Sequence, residues 1–146
     1  MSPKGLEHEA VKIALADRWY RLPHDDCGLA VATTFRLSED TYLESDAVIY
    51  PRATGLKEIA GANALLVVES ADSSLRYDMG RKATLYASFG VRELWAIDAA
   101  RLTARVFADP SPEGYRSTQD FDASDPLAPR FAPRELALRL DELDLA

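Results

Sequence analysis

Three ionisable side chains stand at positions where their chemistry could combine. Glu69 closes the apolar run of residues 65–68, and Lys82 lies on the helical segment that follows. A carboxylate at the end of a buried strand sits where open α/β sheets bind their ligands. Asp46 directly precedes the apolar run of residues 47–50, and a half-buried aspartate is costly unless it is paired or binds a metal. The sequence therefore predicts a strand-end glutamate within reach of a lysine, and an aspartate that needs a partner.

A strand, a helix and a second strand position the glutamate and the lysine. The run before Glu69 is apolar without alternation, so both faces of its strand should be covered, as in a parallel or mixed sheet. An amphipathic helix is predicted from about residue 78 to residue 89, and Gly90 suits the position just past a helix end. The second strand, residues 94–97, ends in Asp98. Two strands that end in acids thus flank one helix.

One face of this helix carries polar side chains at intervals of four residues, namely Asp78, Lys82 and Tyr86. The stripe that can pack on the sheet consists of Met79, Ala83, Leu85, Tyr86 and Phe89. Lys82 therefore lies near the border of the buried face. Taken alone, Asp78 is better explained as a helix N-cap or first-turn acid, and Tyr86 as a core-facing residue whose hydroxyl is hydrogen-bonded.

The other segments predict one more helix and four more strands. The helix covers residues 5–20, and its expected buried stripe is Leu6, Ala10, Ile13, Ala14, Ala16 and Trp19. The strands are residues 29–37 and 41–51, then 102–108 and 115–121; we expect a hairpin or meander from the first pair and antiparallel strands joined by a turn from the second. The alternating leucines of residues 136–145 fit either a closing strand or a short helical piece. We expect one α/β domain over residues 1–146, because a chain of this length can bury a single core.

Charge and composition argue against an avid, free-standing DNA binder. The net charge is -7, with nine acids and four bases in residues 108–146 and fifteen acids and thirteen bases before them. Tight non-specific binding to nucleic acid rests on clusters of Lys and Arg, and the sequence has none. No apolar run is long enough to cross a membrane or to form a signal peptide. The single cysteine, Cys27, allows no internal disulfide, which fits a cytoplasmic location.

Four short motifs together resemble the Uma-two family of candidate restriction endonucleases, a domain of unknown function in the PD-(D/E)xK nuclease superfamily. The family pattern has a Pro-Asp strand start, a Val-Glu strand end, a D-x-x-x-K-x-x-x-Y helix and a G-V-x-E-x-W-x-x-D strand. The matching residues here are Ser45 with Asp46, Val68 with Glu69, Asp78 with Lys82 and Tyr86, and Gly90 and Val91 with Glu93, Trp95 and Asp98. The order and spacing of the motifs indicate the family, and the resemblance spans most of the chain.

The resemblance implies a restriction endonuclease-like fold, a mixed β-sheet flanked by α-helices, and metal-dependent hydrolysis of phosphodiester bonds in DNA. Asp46 and Glu69 would hold Mg²⁺ or Mn²⁺, because Mg²⁺ prefers a few carboxylate oxygens together with waters and phosphate oxygens. Such an ion would acidify a water molecule and stabilise charge on the scissile phosphate. Lys82 would orient that water or offset phosphate charge. Glu7 would be an additional acid, although a solvated first-turn acid is its simpler role.

Two positions depart from the expected pattern. Ser45 replaces the proline of the Pro-Asp motif, which mainly affects the rigidity of the strand. The superfamily motif E-x-K would place a lysine at position 71, where this chain has Ala71. The resemblance therefore assigns the catalytic lysine to the helix as Lys82, with Asp78 and Tyr86 in supporting roles.

The remaining motif residues have simpler structural explanations. We expect Glu93 and Asp98 to hold loops and Trp95 to lie in the core. Arg81 and Arg92 are solvated surface residues by default, with phosphate contact as the alternative.

Two functions from different classes stay open at this point. The first is a Mg²⁺-dependent DNA endonuclease, which the presence of Asp46, Glu69 and Lys82 favours. The second is a catalytically inactive module of the nuclease fold that acts through protein–protein interaction, which the acidic charge favours. Cleavage of both strands of a duplex would suit a twofold homodimer.

Overall fold

Two helices and six strands form the fold in the computed structural model, which describes residues 6–22, 26–71 and 76–145, without the side chains of residues 33, 35 and 76–78. The helices are α1 (Leu6–Tyr20) and α2 (Arg76–Ser88). The strands are β1 (Cys27–Arg36), β2 (Tyr42–Pro51), β3 (Leu66–Ala71), β4 (Glu93–Asp98), β5 (Thr103–Ser111) and β6 (Gly114–Phe121).

The six strands form one mixed sheet in the order β1-β2-β3-β4-β5-β6. β3 and β4 run parallel, and every other neighbouring pair is antiparallel. A parallel pair cannot be joined by a tight turn, and α2 supplies the crossover that it needs. The predicted strand, helix and strand unit and both predicted antiparallel pairs are therefore confirmed, as is the α/β class.

Each face of the sheet is covered by a different set of elements. α1 and the C-terminal segment (residues 122–145) pack on one face, and α2 packs on the other. β3 contributes to both clusters, because Leu66 and Val68 point toward α1 while Val67 points toward α2. A strand that is buried on both faces has no reason to alternate polar and apolar residues, which explains the run before Glu69.

The stripe through which α1 packs differs from the predicted one. Its buried residues are Val11, Leu15 and Trp19. Leu6 and Ile13, both assigned to the core from the sequence, are 61% and 62% exposed. The buried residues follow one another at intervals of four and end at Trp19, which also belongs to the predicted stripe and whose ring centre lies 6.0 Å from that of Trp95 in the sheet. The prediction is therefore wrong for Leu6 and Ile13 and confirmed for Trp19, while Ala10, Ala14 and Ala16 are partly buried.

The ends of the central unit also differ in detail from the sequence expectation. β3 continues past Glu69, because Ser70 and Ala71 still pair with residues of β4. Glu69 thus lies inside the strand, two residues before its end. Gly90 follows α2 with a φ of 81°, the left-handed conformation expected of a glycine that ends a helix.

The C-terminal segment is extended and is not a full strand of the sheet. It contains the 3-10 turns Arg134–Leu136 and Leu140–Glu142. Its single bridge joins Leu138 to Leu127. Its alternate leucines are buried against the α1 side of the sheet, which accounts for the period of two. Among the residues that the structure describes, no helix is both long and apolar enough to span a membrane.

Candidate active site

The site begins where β2 and β3 stop pairing. Their antiparallel ladder runs from Ile49 opposite Leu66 to Ala47 opposite Val68. One further step in this register places Asp46 opposite Glu69. The backbone pairing ends there, and the Ser70 N–H donates instead to Oδ2 of Asp46 at 2.6 Å. Two acids on neighbouring strands thus meet at one end of the ladder.

Glu69 is only 4% exposed, and two side chains of α2 contact its carboxylate. The Tyr86 hydroxyl donates to Oε1 at 2.6 Å, and Nζ of Lys82 lies 3.5 Å from Oε2. Burial raises the pKa of Glu69, and the nearby negative charge of Asp46 raises it further, whereas Tyr86 and Lys82 act in the opposite direction. The electrostatic interaction between Asp46 and Glu69 is unfavourable in the absence of a cation.

α2 presents these two groups because of the periodicity of its sequence. Ala83, Tyr86 and Ala87 are buried against the sheet, and the Lys82 side chain, one residue before Ala83, is 40% exposed. Lys82 therefore reaches from the border of the buried face to Glu69 while part of it stays in water, as the sequence predicts. Burial, together with the charge of Glu69, raises the pKa of Tyr86, so its hydroxyl stays protonated and donates. The predicted core position of Tyr86 is confirmed.

The Asp46 carboxylate is held from the α1 side by two residues to which the sequence assigns no site role. The Ser70 hydroxyl lies 3.1 Å from Oδ2 of Asp46 and 2.8 Å from Nδ1 of His8. Nε2 of His8 is 3.7 Å from Oδ1 of Asp46. One signal was available in the sequence: His8 precedes Val11 by three residues and so continues the stripe by which α1 is buried.

Two of the other residues named from the sequence, Glu7 and Asp78, lie on the helices α1 and α2. Glu7 is exposed on α1 and has no hydrogen bond or ion pair with Asp46 or Glu69 in the described part of the chain. α2 begins at Arg76, so Asp78 lies in its first turn and not at the N-cap; the Asp78 side chain is outside the described residues.

The acids of β4 have structural partners, as predicted. Glu93 accepts hydrogen bonds from the Trp95 indole at 3.2 Å and from the Arg130 N–H at 2.9 Å. Asp98 Oδ1 accepts from the N–H groups of Ala100 and Arg101, both at 3.0 Å, and so closes the turn after β4. Trp95 lies in the core with no exposed surface. These acids stabilise the C-terminal segment and a turn.

The donor groups fit a hard divalent ion better than a zinc-like site. Within the described ranges no group of three or more His, Cys, Asp and Glu residues could hold a metal ion. Mg²⁺ differs in that it usually binds one or two carboxylates and keeps several waters. Asp46 offers Oδ1, which accepts no hydrogen bond from the described residues, and Glu69 offers a carboxylate whose charge needs compensation. Asp46 and Glu69 are therefore the two acids of this cluster that could supply carboxylate oxygens to a divalent ion.

Comparison with known proteins gives the family. The family model described as "Putative restriction endonuclease", the Uma-two model, matches residues 1–141. The chain belongs to the Uma-two family. A crystal structure of a protein from Anabaena variabilis described as a "putative nuclease" has a similar fold, with a TM-score of 0.71. The two sequences are 16% identical, and the similarity covers 97% of this chain and 82% of the other. No match was found among curated proteins.

The Uma-two match agrees with the predicted family and the structural match with the predicted fold. Of the motifs quoted for the resemblance, three meet in one place: the strand start at Asp46, the strand residue Glu69, and the helix with Lys82 and Tyr86. The fourth motif lies on β4. Its acids Glu93 and Asp98 accept hydrogen bonds from the backbone N–H groups of Arg130 and Ala100 instead. Three motifs of the family pattern thus contribute side chains to one cluster, and the fourth contributes contacts within the fold.

Proposed function

We propose that this Uma-two protein is a divalent-metal-dependent DNA endonuclease of the PD-(D/E)xK type. The observation that carries the proposal is the position of Glu69, which lies opposite Asp46 in the strand register and 3.5 Å from Nζ of Lys82. A buried carboxylate beside a second acid and a partly exposed lysine can hold a cation and still face a phosphate. The family description and the nuclease-like fold support the same activity.

In this proposal Asp46 and Glu69 hold Mg²⁺ or Mn²⁺, and Lys82 faces the scissile phosphate. A bound divalent ion supplies Lewis-acid stabilisation of phosphate charge and a more acidic water molecule. The Lys82 ammonium, at the edge of the buried face, can leave Glu69 for a phosphate oxygen when substrate enters, since the two atoms are 3.5 Å apart and the side chain is 40% exposed. Tyr86 stays with Glu69 and fixes the orientation of its carboxylate.

The acidic charge of the chain favours a second candidate, a catalytically inactive module that binds a partner protein. A net charge of -7 repels the DNA backbone and suits a partner with a basic surface. Under this alternative the pair of acids has no cation to bind, and Lys82 serves only to offset the buried charge of Glu69. The homodimer expected for cleavage of a duplex stays a prediction.

Calorimetric titration with Mg²⁺ and Mn²⁺, followed by a plasmid-cleavage assay, separates the two candidates. We expect the wild-type protein to bind the ions and Asp46→Asn to lose binding with little change in thermal midpoint, because removal of one acid relieves repulsion at Glu69. Lys82→Ala should keep its affinity for the ions and lose cleavage. Lys57→Ala, which removes an exposed lysine of the 3-10 turn Leu56–Glu58, is the matched control and should behave like wild type.

One result would contradict the nuclease, and another would contradict only the role of Lys82. Wild-type protein that binds neither ion, alone or with uncleavable DNA, would leave the interaction module as the better account. Normal cleavage by Lys82→Ala would remove the lysine from the mechanism while leaving the metal site in place.

A further inference from the structure

We propose that Ser70 and His8 are positioning residues of the candidate site, which hold Asp46 in the orientation that leaves Oδ1 available to a cation. The inference rests on the proposed function, and it concerns two residues that the family motifs quoted above do not include. It follows from how the hydrogen-bonding capacity of the Asp46 carboxylate is used.

Ser70 fills one oxygen of that carboxylate. Its backbone N–H and its hydroxyl both lie within hydrogen-bond distance of Oδ2, at 2.6 Å and 3.1 Å. A carboxylate oxygen has two lone-pair positions, so two donors on one oxygen leave the other oxygen as the free ligand. Ser70 is itself fixed, because it is 5% exposed and pairs with Ile97 in the parallel ladder between β3 and β4. One residue of β3 thus sets the orientation of the acid on β2.

His8 in turn sets the orientation of the Ser70 hydroxyl. Oγ of Ser70 is 2.8 Å from Nδ1 of His8, and the hydroxyl has a single proton to donate. If that proton is given to Asp46, Nδ1 must carry its own proton and donate to Oγ. The contacts then form one directed chain, from His8 through Ser70 to Asp46. Nε2 of His8, 3.7 Å from Oδ1 of Asp46, is too far to form a hydrogen bond that would occupy that oxygen.

The packing of α1 places His8 at this point. His8 lies on the buried face of the helix, one turn before Val11, and its side chain is 24% exposed. On the other side of the ring, Oε1 of Glu9 is 3.7 Å from Nε2, and Lys12 holds that carboxylate at 2.9 Å. The hydrogen bond of the imidazole is thus the one between Nδ1 and Ser70 of β3, and Glu9 lies near the other ring nitrogen. His8 and Ser70 thus link helix α1 to Asp46 by hydrogen bonds.

Titration with Mn²⁺ alone tests the inference, because it measures the site without requiring turnover. Ser70→Ala removes the hydroxyl and keeps the backbone N–H, and we expect it to weaken Mn²⁺ binding about 10- to 100-fold, the usual effect of losing a residue that orients a metal ligand. His8→Ala should weaken binding in the same direction. His8→Asn should restore most of the affinity, since its amide can donate to Oγ of Ser70 from the place of Nδ1. Ser111→Ala removes another buried hydroxyl, bonded to the Gly114 carbonyl between β5 and β6, and should bind like wild type.

The outcomes separate this inference from the function on which it rests. Equal Mn²⁺ affinity in wild type, Ser70→Ala and His8→Ala would overturn the positioning role and leave the metal site standing. Weakened binding that parallels a drop in thermal midpoint, with no recovery in His8→Asn, would show a structural role only and also overturn it. Wild-type protein that binds no Mn²⁺ would overturn the proposed function and this inference together. Weakened binding at an unchanged midpoint, with recovery in His8→Asn, is the result expected.

Discussion

Two glutamates are buried on the neighbouring parallel strands β3 and β4, near opposite ends of the pair. Glu69 is 4% exposed and lies toward the carboxyl end of β3, whereas Glu93 is 1% exposed and begins β4. Burial is the main reason that the pKa of each carboxyl is raised. By burial and pKa alone, the two residues would be equally good candidates for a catalytic acid. A perturbed pKa therefore does not identify the site in this fold.

The partners of the two carboxylates make the difference. Glu93 accepts from a backbone N–H and from an indole, two fixed donors that become unsatisfied if the acid is lost. Glu69 accepts from a tyrosine hydroxyl and faces a lysine that is 40% exposed, with the charge of Asp46 nearby. The contacts of Glu93 hold two parts of the chain together. Those of Glu69 place a partly exposed lysine against the carboxylate, with the charge of a second acid nearby.

The largest expected difference between the two glutamates is in DNA cleavage. Glu69→Gln removes a proposed ligand of the metal ion and should lower the cleavage rate by roughly a thousandfold, the scale of several kcal/mol of lost charge stabilisation. Glu93→Gln keeps the site intact and should cleave within a few-fold of wild type. Initial rates on supercoiled plasmid at saturating Mn²⁺ measure both. Equal loss of activity in the two variants would mean that burial, and not the partner set, decides which acid matters.

Stability should show the opposite order. The two donors approach different oxygens of Glu93, and Glu93→Gln replaces one of these oxygens by an NH₂ group that cannot accept. Either the indole or the Arg130 N–H is then left unsatisfied, at a cost of about 1–3 kcal/mol in the free energy of unfolding. Glu69→Gln keeps the bond from Tyr86 and no longer buries a charge, so its stability at neutral pH should equal or exceed that of wild type. Urea unfolding followed by circular dichroism gives both values. A less stable Glu69→Gln would assign that residue a structural role as well.

Sequence patterns predict the strands of the sheet and the helix α2 to within a few residues, because their signals are local. Strand β4 was expected at residues 94–97 with Asp98 at its end and is observed at Glu93–Asp98. The border position of Lys82 follows from the four-residue repeat of its helix. In these elements the apolar residues define a single face, or a strand buried on both faces, so the sequence alone indicates which residues are buried.

The parts that the sequence does not predict depend on contacts between distant segments. Helix α1 has apolar residues on more than one face, and its packing against the sheet, which no local pattern contains, decides that Val11, Leu15 and Trp19 are the buried ones. The roles of His8 and Ser70 have the same origin, since they meet across 62 residues of chain. The register that sets Asp46 opposite Glu69 is likewise fixed by the pairing of β2 with β3. Local sequence patterns therefore predict Asp46, Glu69 and Lys82 as candidates, and contacts between distant segments determine which residues surround them.

The smallest expected effect, the pH dependence of stability, tests whether Asp46 and Glu69 act on each other. A buried acid whose folded pKa is raised above 4.5 contributes stability that is fully present below about pH 4.5 and is lost as pH rises through the folded pKa. Both glutamates should therefore make unfolding easier as the pH rises from 4.5 toward neutrality. In metal-free buffer with a chelator, Glu69→Gln and Glu93→Gln should each reduce this loss of stability.

Asp46→Asn separates the two contributions. Removal of the Asp46 charge should lower the pKa of Glu69, because that charge is one of the causes that raise it, and should leave Glu93 unaffected, since Asp46 is not among the causes of its shift. The pH range over which ionisation of Glu69 lowers the free energy of unfolding should then move toward acid. The range over which ionisation of Glu93 lowers it should not change. The change in the pH range for Glu69 can be measured from unfolding curves between pH 4 and pH 8. The variants are Asp46→Asn and the double variant Asp46→Asn with Glu93→Gln. An unchanged pH range for Glu69 would mean that the two carboxylates do not interact electrostatically. That result would contradict the proposal that they bind one metal ion together.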